Sequence, residues 1–371
     1  MAQSIVIYSF LILSLVLFGS ITKINYNYSA QRRYFWCWEV IFILVIYSVI
    51  TGVRYDVGVD HLSYLNQYLY PQYKLLEQEF LFSFITNIFN KLGIHFSFYF
   101  GFISFIQLLF ILLAFKDKRH LYPFLLFSLI SLQFFFINGG LRQSIVCCGF
   151  VYSLNFISEK KFLKYLIFIL IGLFIHKSVV FLIPLYFILS RSIDYFPNKW
   201  ITVLLIFVAI YISDLRIWEK LLSFDISQLL SITGYDEYGI DRESVLTTGY
   251  EYRKGGRFYI SAIIPLIVAF FSNKLKINND IKLINILNLY FLGAITAIMF
   301  YSGGLMFTRF LKYFDFFNFI GVAYLLHYLY CNKKIWNLII YSLVIILCLL
   351  YFYFYVAGDH HTQYKFFWDY M

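Results

Sequence analysis

Long apolar runs recur along the whole chain and constrain its fold more than any other feature. The runs are about 15–23 residues long, and a small cluster of charged residues closes each one. About 20 apolar residues in a helix cross the hydrocarbon core of a bilayer, where only helices and closed barrels satisfy their backbone polar groups. With 61% apolar and 13% charged residues, the 371-residue chain lacks the polar surface that a soluble protein needs. The pattern predicts an all-α polytopic membrane protein.

About twelve transmembrane helices follow from these runs, all in one integral membrane domain, 1–371. The predicted spans are 4–22, 35–53, 97–115, 120–137, 141–157, 163–175, 177–190, 200–213, 258–272, 282–301, 307–330 and 335–357. A further segment, 80–92, is predicted to be re-entrant or interfacial. The pair 163–175 and 177–190 is short for a bilayer and predicts a tight hairpin with His-Lys-Ser at its tip. The sizeable loop is 214–257.

The basic residues predict the orientation of the chain. A net charge of +10 would suggest nucleic acid in a soluble protein, but here the positive residues lie mostly in short loops. More than half of the 30 Lys and Arg residues fall in the loops 23–34, 116–119, 158–164, 191–199, 273–282 and 331–334. Loops rich in Lys and Arg face the cytoplasm. Both termini, the loop 214–257 and the polar motifs described next are therefore expected on the opposite, periplasmic side.

The motif NGGLRQ, 138–143, places an arginine between two apolar runs. Ionisable groups at membrane depth are costly unless they face a cavity or a partner. Asn138, Arg142 and Gln143 share one helix start, where the free backbone N–H groups favour anions. Gly139 and Gly140 allow another backbone or a ligand to come close. Because a guanidinium matches a phosphate well, Arg142 predicts a phosphate contact.

Other polar clusters are weaker signals, and each has an ordinary structural explanation. Arg54, Asp56, Asp60 and His61 follow the second predicted helix, either as a loop salt bridge or as a carboxylate held beside a cation at a cavity mouth. His176 and Lys177 lie at the hairpin tip. Further candidates are Asp236 and Glu237 in the acidic, aromatic stretch GYDEYGIDRE, and Arg309, Lys312 and Asp315 on one late helix. Lys312 and Asp315, three residues apart, are expected to pair with each other.

Nothing in the chain predicts a metal or a cofactor. The five cysteines form no CxxC pair and lie mostly in or beside apolar runs, as packing residues do. Asp359, His360 and His361 are adjacent in the tail but lack further spaced ligands. Walker, GxGxxG and HExxH motifs are absent from the sequence.

Four of these stretches, taken in order, resemble the motifs of the EpsG-like exopolysaccharide proteins, a branch of the Wzy O-antigen polymerases. They are GVRYDVGVDHLSYLNQY (52–68), FFFINGGLRQSIVCC (134–148), FIHKSVVFLIP (174–184) and RFLKYFDFF (309–317). The resemblance runs from about residue 50 to 320. Val59 and His61 stand where the family usually has Thr and Tyr, and Val59 removes a hydroxyl that could have contacted substrate.

The resemblance implies a polymerase at the periplasmic face of the bacterial inner membrane, with a helical architecture related to the GT-C glycosyltransferases. Such enzymes move a growing glycan from undecaprenyl diphosphate onto the next lipid-linked repeat unit. Arg142 is then expected to stabilise the diphosphate leaving group, with Asp60 or His176 as the base that deprotonates the acceptor hydroxyl. The other expected substrate contacts are Arg54, Asn138, Gln143, Lys177, Asp236, Glu237, Arg257 and Arg309. Donor and acceptor lipids, membrane lipids and a chain-length regulator are the implied partners, without nucleic acid.

Three other functions fit a chain of this kind. A flippase of the same pathway would have about as many helices, but usually shows repeat symmetry between its halves. An O-antigen ligase uses the same donor with a different acceptor. A membrane acyltransferase would need a His-centred pattern early in the chain, and none is found there.

Overall fold

A computed structural model describes residues 1–28, 34–71, 79–215, 254–277, 280–301 and 305–370. In these ranges the regular elements are helical, apart from one isolated β-bridge between Arg54 and Phe366. The α-helices are α1 (Ala2–Tyr28), α2 (Trp38–Gly52), α3 (His61–Leu69), α4 (Phe80–Lys91), α5 (Phe96–Ala114), α6 (Tyr122–Gly139), α7 (Leu141–Ser158), α8 (Phe162–Leu173), α9 (Leu185–Leu189), α10 (Lys199–Leu215), α11 (Gly256–Leu275), α12 (Ile281–Met299), α13 (Leu305–Asp315), α14 (Asn318–Cys331) and α15 (Ile335–Gly358).

Six helical stretches among the described residues are long and apolar enough to cross a membrane. They are Ala2–Tyr26, Phe96–Ala114, Arg119–Gly139, Gly256–Leu275, Ile281–Met299 and Ile335–Gly358. Shorter apolar helices include Trp38–Gly52 and Phe162–Leu173. The described residues are therefore all-α, apart from the isolated bridge, and their six candidate spans indicate a multi-pass membrane protein, as the apolar runs predict. The count of about twelve spans stays a prediction.

Three details of the helix prediction are wrong. The predicted span 177–190 is a 3₁₀ helix, Lys177–Leu182, followed by the five-residue helix α9. The predicted span 307–330 is two helices, because α13 ends at Asp315 and α14 begins at Asn318. The backbone at Phe314 and Asp315 packs directly on α12, where a Cβ added to Gly293 would lie 2.4 Å from the Phe314 carbonyl carbon. Apolar residues continue through this break, so hydropathy does not reveal it. Helix α3 was missed because it is only nine residues long and half polar.

The chain forms two compact units, and the single integral membrane domain stays a prediction. The first comprises Met1–Ser190 with Phe352–Met371, and the second comprises Arg191–Tyr351. In the first unit, α2 and α5 approach closely through small residues: a Cβ on Gly52 would lie 2.5 Å from the Ser97 carbonyl oxygen. Gly101 likewise faces the Ser48 carbonyl at 3.1 Å. Small residues at such crossings let membrane helices pack backbone to backbone.

Candidate functional site

The stretch NGGLRQ is the junction between α6 and α7, as the sequence predicts. Helix α6 ends at Gly139 and α7 begins at Leu141, so Arg142 is the second residue of α7. The carbonyl of Ile137, left over at the end of α6, accepts hydrogen bonds from Gln107 Nε2 (3.2 Å) and Ser144 Oγ (3.0 Å). These bonds satisfy a backbone group that the helix end would otherwise leave unpaired in an apolar core.

Glu79 joins two of the predicted catalytic residues. Its Oε2 lies 2.6 Å from a terminal nitrogen of Arg142, and its Oε1 lies 3.4 Å from Nδ1 of His176. The backbone N–H of Lys177 donates to the same Oε1 at 3.1 Å. The side chains of Glu79, Arg142 and His176 are only 9%, 14% and 19% exposed. The structure thus brings Arg142, His176 and Lys177 together around a carboxylate, which we call the Glu79 cluster.

The carboxyl group of Glu79 is held in its charged form. Burial by itself would raise its pKa, but the adjacent imidazole of His176 and the charge of Arg142 outweigh burial and lower the pKa to about 2. A carboxylate of such low basicity is a poor proton acceptor near neutral pH. Glu79 is therefore suited to orient Arg142 and His176 and unsuited to act as the base.

The position of Glu79 is set by the N-terminus of α4 and the hairpin tip. Glu79 precedes α4 in an extended conformation, with φ −62° and ψ 147°. The next turn is tied to the end of α8, because Leu81 N–H donates to the Phe174 carbonyl at 2.8 Å. Sequence reasoning identified the segment 80–92 but missed Glu79. The available signal was an acidic residue directly before an apolar segment.

Asp60 reaches the same region through α3. It immediately precedes this helix, and its carbonyl accepts a hydrogen bond from the N–H of Tyr64 at 3.1 Å. The Tyr64 side chain in turn hydrogen-bonds Arg142. One buried tyrosine therefore connects the helix that begins after Asp60 to the predicted phosphate ligand.

Arg54 and Asn138 are fully buried and hold the backbone in place. Arg54 donates to the carbonyls of Thr51, Val57 and Asn138, the last two at 3.2 Å. Its guanidinium also lies 5.5 Å from the centre of the Phe100 ring. Asn138 Nδ2 donates to the Phe134 carbonyl at 2.9 Å. Arg54 thus fastens the loop after α2 to the end of α6, and a substrate contact for either residue stays a prediction.

The glycines of the two motifs pack on each other. Gly58 has φ +103°, and a Cβ at this position would lie 2.5 Å from the Asn138 carbonyl oxygen and 2.8 Å from the Cα of Gly139. Of the two possibilities that the sequence left open for Gly139, close approach of a backbone is the one observed.

Asp56 binds the C-terminal tail, a contact that sequence reasoning missed. His361 Nδ1 lies 2.9 Å from one carboxylate oxygen of Asp56, and Lys365 Nζ lies 2.8 Å from the other. Burial raises the pKa of Asp56, but the hydrogen bonds from Lys365 and His361 outweigh it and hold the pKa below its ordinary value. Because 305 residues separate Asp56 from His361, no local pattern in the sequence signals this pair.

The remaining predicted residues are placed as follows. Gln143 is buried in α7, and the Lys177 side chain is exposed. Arg257 and Arg309 belong to the second unit, at the start of α11 and in α13. Lys312 and Asp315 form the expected ion pair, at 2.5 Å. Asp236 and Glu237 lie outside the described residues. Within the described residues, no group of three or more His, Cys, Asp or Glu side chains is arranged to hold a metal ion.

Comparison with known proteins gives one match. The model of the EpsG family matches residues 35–370, which include Arg54, the Glu79 cluster and the tail. No curated protein and no solved structure matches the chain. The match covers most of the sequence, so the chain belongs to the EpsG family, whose membership implies a part in exopolysaccharide biosynthesis.

Proposed function

We propose that the protein is a membrane glycosyltransferase of GT-C-like architecture that polymerises lipid-linked repeat units of an exopolysaccharide or O-antigen. The single observation that carries this proposal is the Glu79 cluster. It combines a guanidinium, an imidazole and an ionised carboxylate at the ends of apolar helices, in a chain of the EpsG family. The resemblance names undecaprenyl diphosphate as the carrier of both the donor and the acceptor glycan.

The reaction needs a cation and a base. The bond between the donor's anomeric carbon and the diphosphate oxygen breaks, and its electron pair leaves with the lipid diphosphate. The acceptor hydroxyl oxygen forms the new bond to the anomeric carbon and gives its proton to a base. A preorganised guanidinium in a site with little water stabilises the charge that grows on the leaving diphosphate.

Arg142 is the residue we assign to the diphosphate. A guanidinium carries five N–H donors, more than the contacts with Glu79 and Tyr64 use. Glu79 restrains the side chain, so that less entropy is lost when the phosphate binds. Gln143 and Lys177 adjoin Arg142 and His176 in the sequence. Arg257 and Arg309 stay predicted substrate contacts.

His176 is the base we favour, with Asp60 as the second candidate. When Nδ1 of an imidazole donates to a carboxylate, Nε2 is left as the proton acceptor. The 3.4 Å contact between His176 Nδ1 and Glu79 is compatible with that arrangement and expected to tighten when substrate binds. Asp60 lies one helical turn from Tyr64 and so near Arg142.

The test is Arg142→Ala in a strain that lacks the chromosomal copy of the gene. We expect single-repeat glycolipid in place of a ladder, and a rate of polymerisation about 10²–10³-fold lower with purified protein. Arg142→Lys should also fail, since an ammonium cannot replace a bidentate guanidinium. Lys161→Gln, an exposed change on the same unit, is the control for protein level. A normal ladder from Arg142→Ala at normal protein level would refute the assignment.

Null strains separate the proposal from its rivals. Loss of a polymerase leaves one repeat unit attached to its final acceptor. Loss of a flippase traps lipid-linked units on the cytoplasmic face, and loss of a ligase removes all O-antigen from the lipid A core. Metal independence stays a prediction: polymerisation in EDTA should be undiminished, and a loss that added Mg²⁺ reverses would contradict it.

A further inference from the structure

The C-terminal tail, residues 359–370, folds back onto the loop between α2 and α3, residues 53–60. Backbone hydrogen bonds join the two segments at three places. Tyr55 N–H donates to the Lys365 carbonyl at 2.9 Å, Phe367 N–H to the Val53 carbonyl at 3.1 Å, and Gly58 N–H to the His361 carbonyl at 2.8 Å. The tail therefore pairs with this loop through backbone hydrogen bonds, with one isolated antiparallel bridge between Arg54 and Phe366.

Side chains hold the two segments together at Asp56. Its carboxylate accepts from Lys365 Nζ and lies beside His361 Nδ1, at 2.8 and 2.9 Å, and its side chain is 12% exposed. Asp56 has φ +51°, a conformation that Asp and Asn tolerate better than other residues with a Cβ. Charge-assisted hydrogen bonds with little solvent exposure are the stronger kind.

The loop that the tail holds is in turn packed on the junction that precedes Arg142. Arg54 donates to the Asn138 carbonyl, and Gly58 leaves no room for a Cβ against Asn138 and Gly139. Asp56 N–H also donates to Nδ1 of His61 at 3.2 Å, which fixes the start of α3 and hence Tyr64. Asp56 is therefore connected to Arg142 in two ways. One connection runs through the packing of its loop on Asn138, and the other runs through His61 and Tyr64 of α3.

We propose that the C-terminal tail is a positioning element of the Arg142 site and that Asp56 is the positioning residue through which it acts. The tail acts by restraining the loop 53–60, which fixes the Asn138–Gly140 junction and the start of α3. The effect on polymerisation rests on the proposed function, whereas the effect on the backbone does not.

The experiment uses Asp56→Asn and Lys365→Gln in the full-length protein in nanodiscs. Asn keeps the left-handed backbone of residue 56 and removes its charge, and Lys365→Gln removes the charged partner, whose side chain is half-buried in the tail. Hydrogen–deuterium exchange is expected to rise about tenfold at the amides of Tyr55, Gly58 and Phe367, the factor for one lost charge-assisted hydrogen bond. A smaller rise is expected at 141–144, the start of α7.

Activity is the second readout. Each variant should lower the kcat of polymerisation about tenfold with little change in KM, because a displaced Arg142 weakens stabilisation of the transition state more than binding. The double variant should be no worse than Asp56→Asn alone, since that change already removes the Asp56–Lys365 ion pair. Glu159→Gln is the matched control: it removes the Glu159–Lys161 ion pair, 2.5 Å long but about half exposed, and should change neither readout.

The outcomes separate this inference from the proposed function. Faster exchange in the tail with unchanged exchange at 141–144 and unchanged kcat would overturn the inference and leave the proposed function intact. If the wild-type protein does not polymerise at all, the proposed function fails. Exchange at 141–144 still decides in that case whether the tail positions the junction.

Discussion

Glu79 shows how one buried carboxylate can bring two distant side chains together. Its two carboxylate oxygens bind Arg142 and His176, which are 34 residues apart in the sequence and carry different proposed roles. An ion pair with so little exposure stabilises the fold only if both charges keep their partners. Removing Glu79 would therefore leave a buried guanidinium without its counter-charge and an imidazole without its orienting group.

Glu79→Gln should lower the rate of polymerisation about 10²-fold. The amide cannot compensate the charge of Arg142, and its oxygen is a weaker acceptor for His176 than a carboxylate. The rate is measured on purified protein with lipid-linked repeat units. Glu159 is an exposed carboxylate at the end of α7, and the control variant Glu159→Gln should retain the wild-type rate. A normal rate of polymerisation by Glu79→Gln would show that the Glu79 cluster has only a structural role.

The stability of the protein should depend on Glu79 in acid. Its pKa is about 2 in the folded protein against 4.5 ordinarily, so the carboxylate binds fewer protons when folded than when unfolded. Its contribution is thus fully present above about pH 4.5 and is lost as the pH falls toward 2. In detergent, the Tm of Glu79→Gln should be lower than the Tm of the wild type at about pH 6. The difference between the two Tm values should shrink between about pH 5 and 3. A constant difference would contradict the assigned pKa.

Among the elements, the α6–α7 junction and the loop 53–60 pack against each other and are joined by hydrogen bonds. The spacing of apolar residues predicts both helices, and the structure confirms them within about two residues at each end. The polar residues at the junction are predicted substrate ligands, and this stays a prediction. Asn138 and Arg54 also donate hydrogen bonds to backbone carbonyls, which only the packing of the loop reveals.

Gly58→Ala should destabilise the protein much more than Gly93→Ala. Both glycines have positive φ, +103° and +62°, so alanine is strained at either position, by about 1–2 kcal/mol. At Gly58 the new Cβ would also meet the Asn138 carbonyl at 2.5 Å, whereas nothing lies within 4 Å at Gly93. Overpacking should add about 1–3 kcal/mol to the loss. Unfolding in denaturing detergent measures the stability of both variants. An equal loss of stability in Gly58→Ala and Gly93→Ala would argue against the close packing at Gly58.

For the whole molecule, the contacts of α1 identify two opposite ends of the first unit. Near its N-terminus, Ser4 Oγ accepts from the N–H of Tyr364 in the tail. Near its C-terminus, the Tyr26 hydroxyl donates to the Asp117 carbonyl. A helix of 27 residues is about 40 Å long, enough to cross a bilayer. The tail and the loop at 116–119 thus lie at different ends.

Labelling from one side of the membrane should therefore distinguish the two ends. In a version without the five native cysteines, a membrane-impermeant maleimide added to intact spheroplasts should label Tyr370→Cys. Lys116→Cys should be labelled only after lysis, because the loop at 116–119 is rich in Lys and Arg and is expected in the cytoplasm. Reaction of Lys116→Cys in intact cells would reverse the predicted orientation, and with it the periplasmic location of the Glu79 cluster.

The sequence by itself determined the membrane-spanning helical class, most helix positions and the family. These depend on local properties: the length of apolar runs, glycines at a helix junction, and residues close together in short motifs. The tertiary structure alone decided which charges distant in the sequence meet. Glu79 pairs with Arg142, and Asp56 with His361 and Lys365, across 63 to 309 residues of chain. Such pairs form because a buried charge needs a counter-charge from whichever helix end packs beside it, and that neighbour is set by the fold.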